Sequence, residues 1–308
     1  MTTDHKARVL VTGATGMQGG AVAHALLRAG HPVTAFVRGP SSAAAQALAG
    51  QGAVLATGNL EDVASLQAAG VGHDAVFSVQ LAGVDPADPG AEVRQAGNIV
   101  TAAQGAGITH IVHTSVSATG WRSQHPQVDV TDPVMKEYWN QKEETEDVIR
   151  RSGLPRWTIF KPAWYMENFL SPRQEYMLPE LPQGKLVTAM SPQTVLALIC
   201  ADDFGAAAAV AVAEPDRFHE AEVDLAGDAL TYPQMAEVLS QVTGREIKTD
   251  FISPQEREQR HGASAAFGDV FNDCVGYPAR PHHAAGYGLA TTTFAQWATR
   301  QDWRTVTA

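Results

Sequence analysis

Through the first half of the chain, short apolar runs rich in valine and isoleucine alternate with alanine-rich stretches whose apolar residues recur every three or four positions. The first kind fits strands buried on both faces and the second fits amphipathic helices, so the alternation predicts βαβ units around a parallel sheet. Strands are expected at Arg8–Thr12, Pro32–Val37, Ala53–Thr57, Ala75–Val79, His110–Thr114 and Arg156–Lys161. Helices are expected at Met17–Ala29, Ser42–Ala49, Asp62–Ala68, Ala91–Ala106 and Pro133–Arg151. Gly30, Gly50, Gly107 and Gly153 each fall just past one of these helices, where a left-handed C-cap is wanted.

After Lys161 the rhythm breaks into "PAWYMENFLSPRQEYMLPELPQGKL", a proline-punctuated run of aromatics and methionines that reads as the wall of a second lobe. Asp202–Ala213 reads as a small-residue helix and Ala221–Leu225 as a strand, and Thr231 is placed to N-cap a helix that stops at Gly244. The glycine-rich stretch His261–Leu289, with Phe267, Phe271, Tyr277 and Tyr287, reads as a mobile cover. The expectation is an α/β fold with a doubly wound parallel sheet over residues 1–163. A smaller C-terminal α/β substrate lobe would span 164–308, with segments near 194–213 and 221–228 returning to the core.

Charge narrows the function classes. Twenty-two basic against 33 acidic residues give a formal charge of −11 in 308 residues, which repels phosphate backbones and anionic lipid heads, so neither nucleic acid nor membrane is expected as a partner. The most apolar stretch, Thr194–Ala213, is broken by Asp202, Asp203 and Gly205, short of the ~20 uninterrupted residues a bilayer span needs. Cys200 and Cys274 are the two cysteines and form no metal or redox motif; with no apolar leader at the N-terminus, the expected location is the cytoplasm. His110 and His113 alternate across a strand, and His282 and His283 have no acidic or cysteine partner at ligand spacing, so no metal is expected.

The first strand–helix junction carries the strongest chemical signal. In "TGATGMQGG" the spacing Gly13-x-x-Gly16-x-x-Gly19 provides a tight turn, a close backbone approach to pyrophosphate and close packing of helix on strand, the Rossmann dinucleotide fingerprint. Thr15, Met17 and Gln18 share that turn, and the helix N-terminus faces the phosphates. The second strand ends "VTAFVRGP", with no acidic residue to take a ribose 2′-hydroxyl and with Arg38 suited to a 2′-phosphate, so NADP(H) is expected over NAD(H). Ligands gather at strand carboxyl ends, which puts Asn59 and Leu60 beside the adenine and Gln80 near the nicotinamide ribose.

These residues resemble the short-chain dehydrogenase/reductase superfamily and, within it, the atypical NmrA-like branch. The resemblance runs through "GATGMQGGAVA", "GNLEDVASL", "HIVHTSVSATG", "KPAWYMENFL" and "FAQWATRQDW". It implies NAD(P)H-dependent quinone and dye reductases, or redox sensors that bind the dinucleotide without turning it over. It also adds Pro162, at the head of the "PAWYMENF" segment, to the expected cofactor contacts.

Tyrosine-dependent members of the superfamily pair a serine with Y-x-x-x-K, and "YWNQK" supplies Tyr138 and Lys142 on one helix face. Lys142 would hold the ribose and lower the tyrosine pKa, from about 10 to about 7 at a cost of roughly 4 kcal/mol. The aligned serine position is Val116, flanked by Ser115 and Ser117, and Thr114 is the candidate substitute. A quinone or dye needs less acid assistance, and Trp164, Tyr165, Met166 and Phe169, with Asn168 to orient, are the expected flat substrate slot. The expected activity is NADP(H)-dependent hydride transfer to a small flat aromatic or quinonoid acceptor. Two alternatives stay open: a dinucleotide sensor acting through a protein partner, and a tyrosine-dependent carbonyl reductase or tailoring redox enzyme of secondary metabolism. Oligomeric state, including a homodimer, is left open.

Overall fold

The computed structural model describes residues 6–81, 88–130 and 132–304. In chain order it begins with β1 (Val9–Val11), α1 (Met17–Arg28), β2 (Val33–Val37), α2 (Ala43–Gly50), β3 (Val54–Thr57) and α3 (Val63–Gly70). There follow β4 (Ala75–Ser78), α4 (Ala91–Ala106), β5 (His110–Thr114), α5 (Pro133–Arg150), β6 (Arg156–Pro162) and β7 (Trp164–Tyr165). Next come α6 (Gln174–Met177), β8 (Lys185–Thr188), β9 (Val195–Ile199), α7 (Ala201–Ala213), β10 (Ala221–Leu225) and β11 (Asp228–Thr231). The chain ends with α8 (Tyr232–Thr243), β12 (Lys248–Phe251), α9 (Pro254–His261), α10 (Ala263–Cys274), α11 (Pro281–Gly286) and α12 (Phe294–Ala298).

A seven-stranded sheet in the order β10-β6-β5-β4-β1-β2-β3 is the frame. The pairings that run from β3 through β2, β1, β4 and β5 to β6 are all parallel. Order reverses between β1 and β4, and in a doubly wound sheet that reversal opens a crevice at the strand carboxyl ends. Every residue of β1, β4 and β5 is buried, so the polar side chains these strands carry, Ser78, His110, His113 and Thr114, lie out of solvent as well. Leu10, Val76, Ile111 and Ile159 of the sheet pack with Ile99, Val100 and Ala103 of α4 in one cluster.

Two compact units divide the chain. The first takes Met1–Ser115, Glu137–Lys161 and Ala201–Val223; the second takes Val116–Lys136, Pro162–Cys200 and Asp224–Ala308. Within the second, β11, β9 and β7 form a three-stranded sheet and β8 pairs with β12 in parallel. Its core gathers Met166, Phe169, Leu186, Leu198, Met235, Phe294 and Trp297. Thr231 caps α8 with a reciprocal Gln234 contact, and Gly244 ends that helix in the left-handed conformation.

Two local expectations are corrected. The stretch His261–Leu289 is largely helical: Phe267 and Phe271 sit four residues apart in the alanine-rich α10, and Phe271 is buried edge-on to Trp121 at 5.5 Å between centroids. Helical spacing of the aromatics outweighs the glycines there, and a buried Arg257–Asp269 pair at 3.0 Å ties α9 to α10. In addition, α2 runs through Gly50, and the left-handed residue after it is Gly52. Among the described residues no helix is long and apolar enough to cross a membrane.

Helices α1 and α7 touch backbone to backbone at Gly205, where an added Cβ would lie 2.4 Å from the Ala21 carbonyl oxygen. Gly205→Ala must therefore push the helices apart. We expect a loss of about 1–3 kcal/mol in equilibrium urea unfolding, the range for overpacking a close contact.

Candidate functional site

The glycine turn is built for a close neighbour. Gly13 sits at φ +59, and a Cβ there would be 2.6 Å from a Val79 methyl group. At Gly19 a Cβ would fall 2.3 Å from the Gly13 carbonyl oxygen, so the first turn of α1 can press onto the loop only with glycine at this position. Thr12, just before the turn, donates its hydroxyl to Phe77 O at 3.0 Å and accepts from Val79 N at 3.0 Å, stitching the carboxyl ends of β1 and β4 together. Gly13, Thr15 and Gly16 are exposed and Met17 is half-buried. Gly16 caps α1 without a side-chain hydrogen bond, which leaves the helix N-terminal amides without a side-chain acceptor at the cap. The buried Gln18 Oε1 has no hydrogen-bond partner among the described residues. An uncapped helix N-terminus and a left-handed glycine together fit the pyrophosphate of a dinucleotide.

The flanking positions lie at strand carboxyl ends. Arg38 follows β2 and is exposed. Asn59 is exposed and accepts from Glu61 N at 3.1 Å, while Leu60 packs against the sheet cluster and its carbonyl accepts from Asn98 Nδ2 at 2.8 Å. Gln80 is buried; its Nε2 donates to Ser78 Oγ at 2.8 Å, and its Oε1 has no partner among the described residues. Pro162 ends β6 and is buried, its carbonyl accepting from Ser117 N at 2.9 Å.

Lys142 is not a free cation. Its Nζ lies 2.6 Å from Oε1 of Glu92, whose side chain is wholly buried in the first turn of α4. Gln141 on the same segment of α5 accepts from Glu92 N at 3.2 Å, standing in for the side-chain cap that Gly90 cannot supply. Lys142 Nζ also stands 5.7 Å from the centroid of the Tyr138 ring. The phenol is nonetheless pushed upward from its ordinary pKa of 10, first by burial and then by the Glu92 charge. Burial is the larger cause, and the carboxylate in contact with the ammonium offsets the field by which Lys142 is expected to lower the tyrosine pKa. Sequence reasoning passed over Glu92 altogether. The signal was present: Glu92, Ala96, Ile99 and Ala103 lie on the buried stripe of α4, where a carboxylate needs a cationic partner.

Neighbouring hydroxyls are committed too. Ser115 Oγ donates to Glu146 Oε1 at 2.6 Å, and Ser117 Oγ donates to Asp224 Oδ1 at 2.7 Å. Of Thr114, Ser115 and Ser117, only Thr114 has a buried hydroxyl with no partner among the described residues. Glu146 belongs to a network in which Arg150 and Lys161 both reach Glu146 and Glu222. Burial opposes ionisation of Glu222, but hydrogen bonds from Arg150 and Lys161 prevail and bring it down to about 2. Under the sheet's carboxyl end, His113 Nδ1 bonds Ser78 Oγ at 3.2 Å, and His110 Nε2 bonds Thr158 Oγ1 at 3.3 Å.

The five residues expected to form a substrate slot lie in the second unit. Met166 and Phe169 are inside its apolar core, Tyr165 and Asn168 are buried, and Trp164 is half-buried, edge-on to Phe169 at 5.3 Å. A separate open cavity of about 340 Å³ in the same unit is bordered by Trp121, Arg122, His125, Val128 and Lys136, and none of the five lines it. That segment follows β5, and sequence reasoning did not single it out.

Comparison with known proteins bears on this geometry. The model of the NmrA-like family matches residues 5–268. The chain is 29% identical over 296 residues to the (4-alkanoyl-5-oxo-2,5-dihydrofuran-3-yl)methyl phosphate reductase of Streptomyces griseus, covering 89% of this chain and 94% of that protein. It is 28% identical over 308 residues to the NAD(P)H azoreductase of Xenophilus azovorans, covering 94% and 96%. Among solved structures, the NADPH complex of the quinone oxidoreductase QOR2 of Escherichia coli superposes with a TM-score of 0.73 at 25% identity, covering 94% of this chain and 98% of that one.

The buried histidines set a pH dependence. Burial holds His113 down to about 3, with the Lys142 charge adding to it, and holds His110 down to about 4, with Arg156 and His219 adding. Below their ordinary value of 6.5 the unfolded chain takes up protons that the folded chain refuses, so stability is lost as the pH falls from there toward 3. Each histidine accounts for about 2 kcal/mol between about pH 7 and pH 5. Urea unfolding of His113→Asn at both pH values is expected to show a loss smaller by that amount than in the parent chain.

Proposed function

The chain belongs to the NmrA-like family, and from that premise we propose that it is an NADP(H)-dependent oxidoreductase that passes hydride to a small, flat, quinonoid or aromatic acceptor. The observation that carries the reading is the joint state of the hydroxyls and the glycine turn. The turn fits a dinucleotide, while Ser115 and Ser117 direct their hydroxyl hydrogens to carboxylates as hydrogen bonds and Tyr138 holds its proton tightly. Such a site favours acceptors that take hydride into a delocalised anion and collect a proton from water afterwards. The names of the relatives, an azoreductase, a quinone oxidoreductase and a reductase of an unsaturated lactone, support the same class.

Each group then has a task. The turn from Gly13 to Gly19, with Thr15, Met17 and Gln18, holds the pyrophosphate on the α1 N-terminus. Arg38 meets a 2′-phosphate, Asn59 and Leu60 border the adenine, and Gln80, Lys142 and Pro162 lie toward the nicotinamide ribose. When bound, the dinucleotide supplies hydride chemistry. Thr114 offers the one uncommitted hydroxyl of its segment, and Trp164 offers an aromatic face that is not fully buried.

The test is NADPH oxidation by the full chain across quinones, azo dyes and aromatic aldehydes. Multiple turnovers with a quinone or dye are expected; NADPH binding without turnover on any acceptor would replace this reading with the sensor.

A second measurement addresses cofactor choice. Arg38 is exposed, so its contribution is a charge-assisted contact partly screened by solvent. Calorimetry should show NADPH binding more tightly than NADH, and Arg38→Ala should lose about tenfold in NADPH affinity with little change for NADH. Equal affinities in the parent chain would remove Arg38 from this role.

A further inference from the structure

Tyr138 and Lys142 preserve the spacing of an acid–base pair, yet the lysine is already partnered by a carboxylate from another helix. Glu92 reaches Lys142 from the first turn of α4, completely out of solvent, at 2.6 Å. Its second oxygen, Oε2, is buried with no hydrogen-bond partner among the described residues, so Lys142 is the cation that faces this carboxylate there. Lys142 stands over the Tyr138 ring at 5.7 Å, which puts the phenol within reach of both charges. We propose that Glu92 is the positioning residue that withholds Tyr138 from proton donation and thereby sets the acceptor class, a role that rests on the oxidoreductase reading above.

The electrostatics follow from three groups. Lys142 of α5 stands near the Tyr138 ring with Glu92 of α4 in contact with it, and His113 of β5 lies within reach of the Lys142 charge. His113 is neutral at ordinary pH because burial and the Lys142 charge hold it down to about 3, so it contributes no compensating charge. A lone ammonium would favour the phenolate; an ammonium in contact with a carboxylate presents a dipole, and the carboxylate itself repels a second anion. Tyr138 is pushed upward accordingly, by burial first and Glu92 next.

The consequence for chemistry is a division between acceptors. Reduction of a carbonyl forms a C–H bond at carbon and leaves an alkoxide. That oxygen then takes the Tyr138 proton as the phenol O–H bond breaks, and the phenolate is recharged from water. With Glu92 in place the phenolate is disfavoured and this step is slow. Hydride transfer to a quinone leaves a stabilised hydroquinone anion that is protonated by water, and Glu92 has no hold on it. Two electrons move in either case, and the dinucleotide leaves oxidised.

The phenol can be read without dinucleotide or acceptor. The full chain is titrated by tyrosinate ultraviolet absorbance, with the Tyr138→Phe counterpart of each variant as blank. Glu92→Gln is expected to lower the Tyr138 midpoint by about one unit or more, and Glu92→Asp, which keeps the charge, to shift it much less. An unmoved midpoint in Glu92→Gln, or an equal shift in Glu92→Asp, overturns the proposal. Should Glu92→Gln fail to fold because it strands the buried ammonium, the double variant Glu92→Gln/Lys142→Met removes both charges; a midpoint there no lower than in the parent chain also overturns it. The kinetic arm compares an aromatic aldehyde with a quinone: their kcat/KM ratio is expected to rise about tenfold in Glu92→Gln and to fall back when Tyr138→Phe is added. A titration that shifts with no change in that ratio sinks the acceptor-setting role. Were the parent chain to reduce no quinone at all, the oxidoreductase reading would fall, while the titration would still decide whether Glu92 controls Tyr138.

Discussion

The contact between Glu92 and Lys142 constrains more of the first unit than any other single interaction in it. A carboxylate with no solvent exposure can stay ionised only beside a cation, and removing either partner of such a pair typically costs about 3–5 kcal/mol. The pair fixes the start of α4 against the middle of α5, and Gln141 reinforces the join by capping the Glu92 amide. Both helices belong to the βα units whose strands, β4 and β5, end at the crevice. The geometry of that crevice therefore depends on an ion pair that is at the same time part of its chemistry.

A second charged network repeats the pattern at the sheet edge. Glu146 and Glu222 share Arg150 and Lys161, joining α5 to β6 and β10, and Glu146 also accepts the Ser115 hydroxyl's hydrogen bond. Two carboxylates, Glu92 opposite α5 and Glu146 on it, engage groups that a tyrosine-dependent reductase would leave available. The lysine is held by one and a serine hydroxyl by the other. The contacts that stitch the helices to the sheet therefore also engage the lysine and a hydroxyl beside Val116.

Much of the frame was legible in the sequence because it rests on local signals. Buried parallel strands are short, mostly apolar runs, Thr231 and Gln234 form a cap readable three residues apart, and the Gly13–Gly19 spacing encodes a turn that tolerates no Cβ. The candidate site was less legible because its decisive contacts are long-range. Glu92 and Lys142 are 50 residues apart, and Ser117 and Asp224 are 107 apart. Y-x-x-x-K reports that two side chains share a helix face; it says nothing of the third group that faces them.

The glycine turn and the ion pair also separate two properties that are often read from one motif. Binding of a dinucleotide depends on exposed backbone at the end of β1, where Gly13, Thr15 and Gly16 are open and only steric space and the α1 amides matter. The surroundings of the Tyr138 phenol are buried side chains of α4 and α5, where burial comes first and the Glu92 charge second in holding its proton. A chain can keep the first intact while a single acidic residue on an apolar stripe changes the second. A dinucleotide fingerprint therefore speaks to how a cofactor is held, and the charge partner of the Y-x-x-x-K lysine speaks to how firmly the neighbouring phenol keeps its proton.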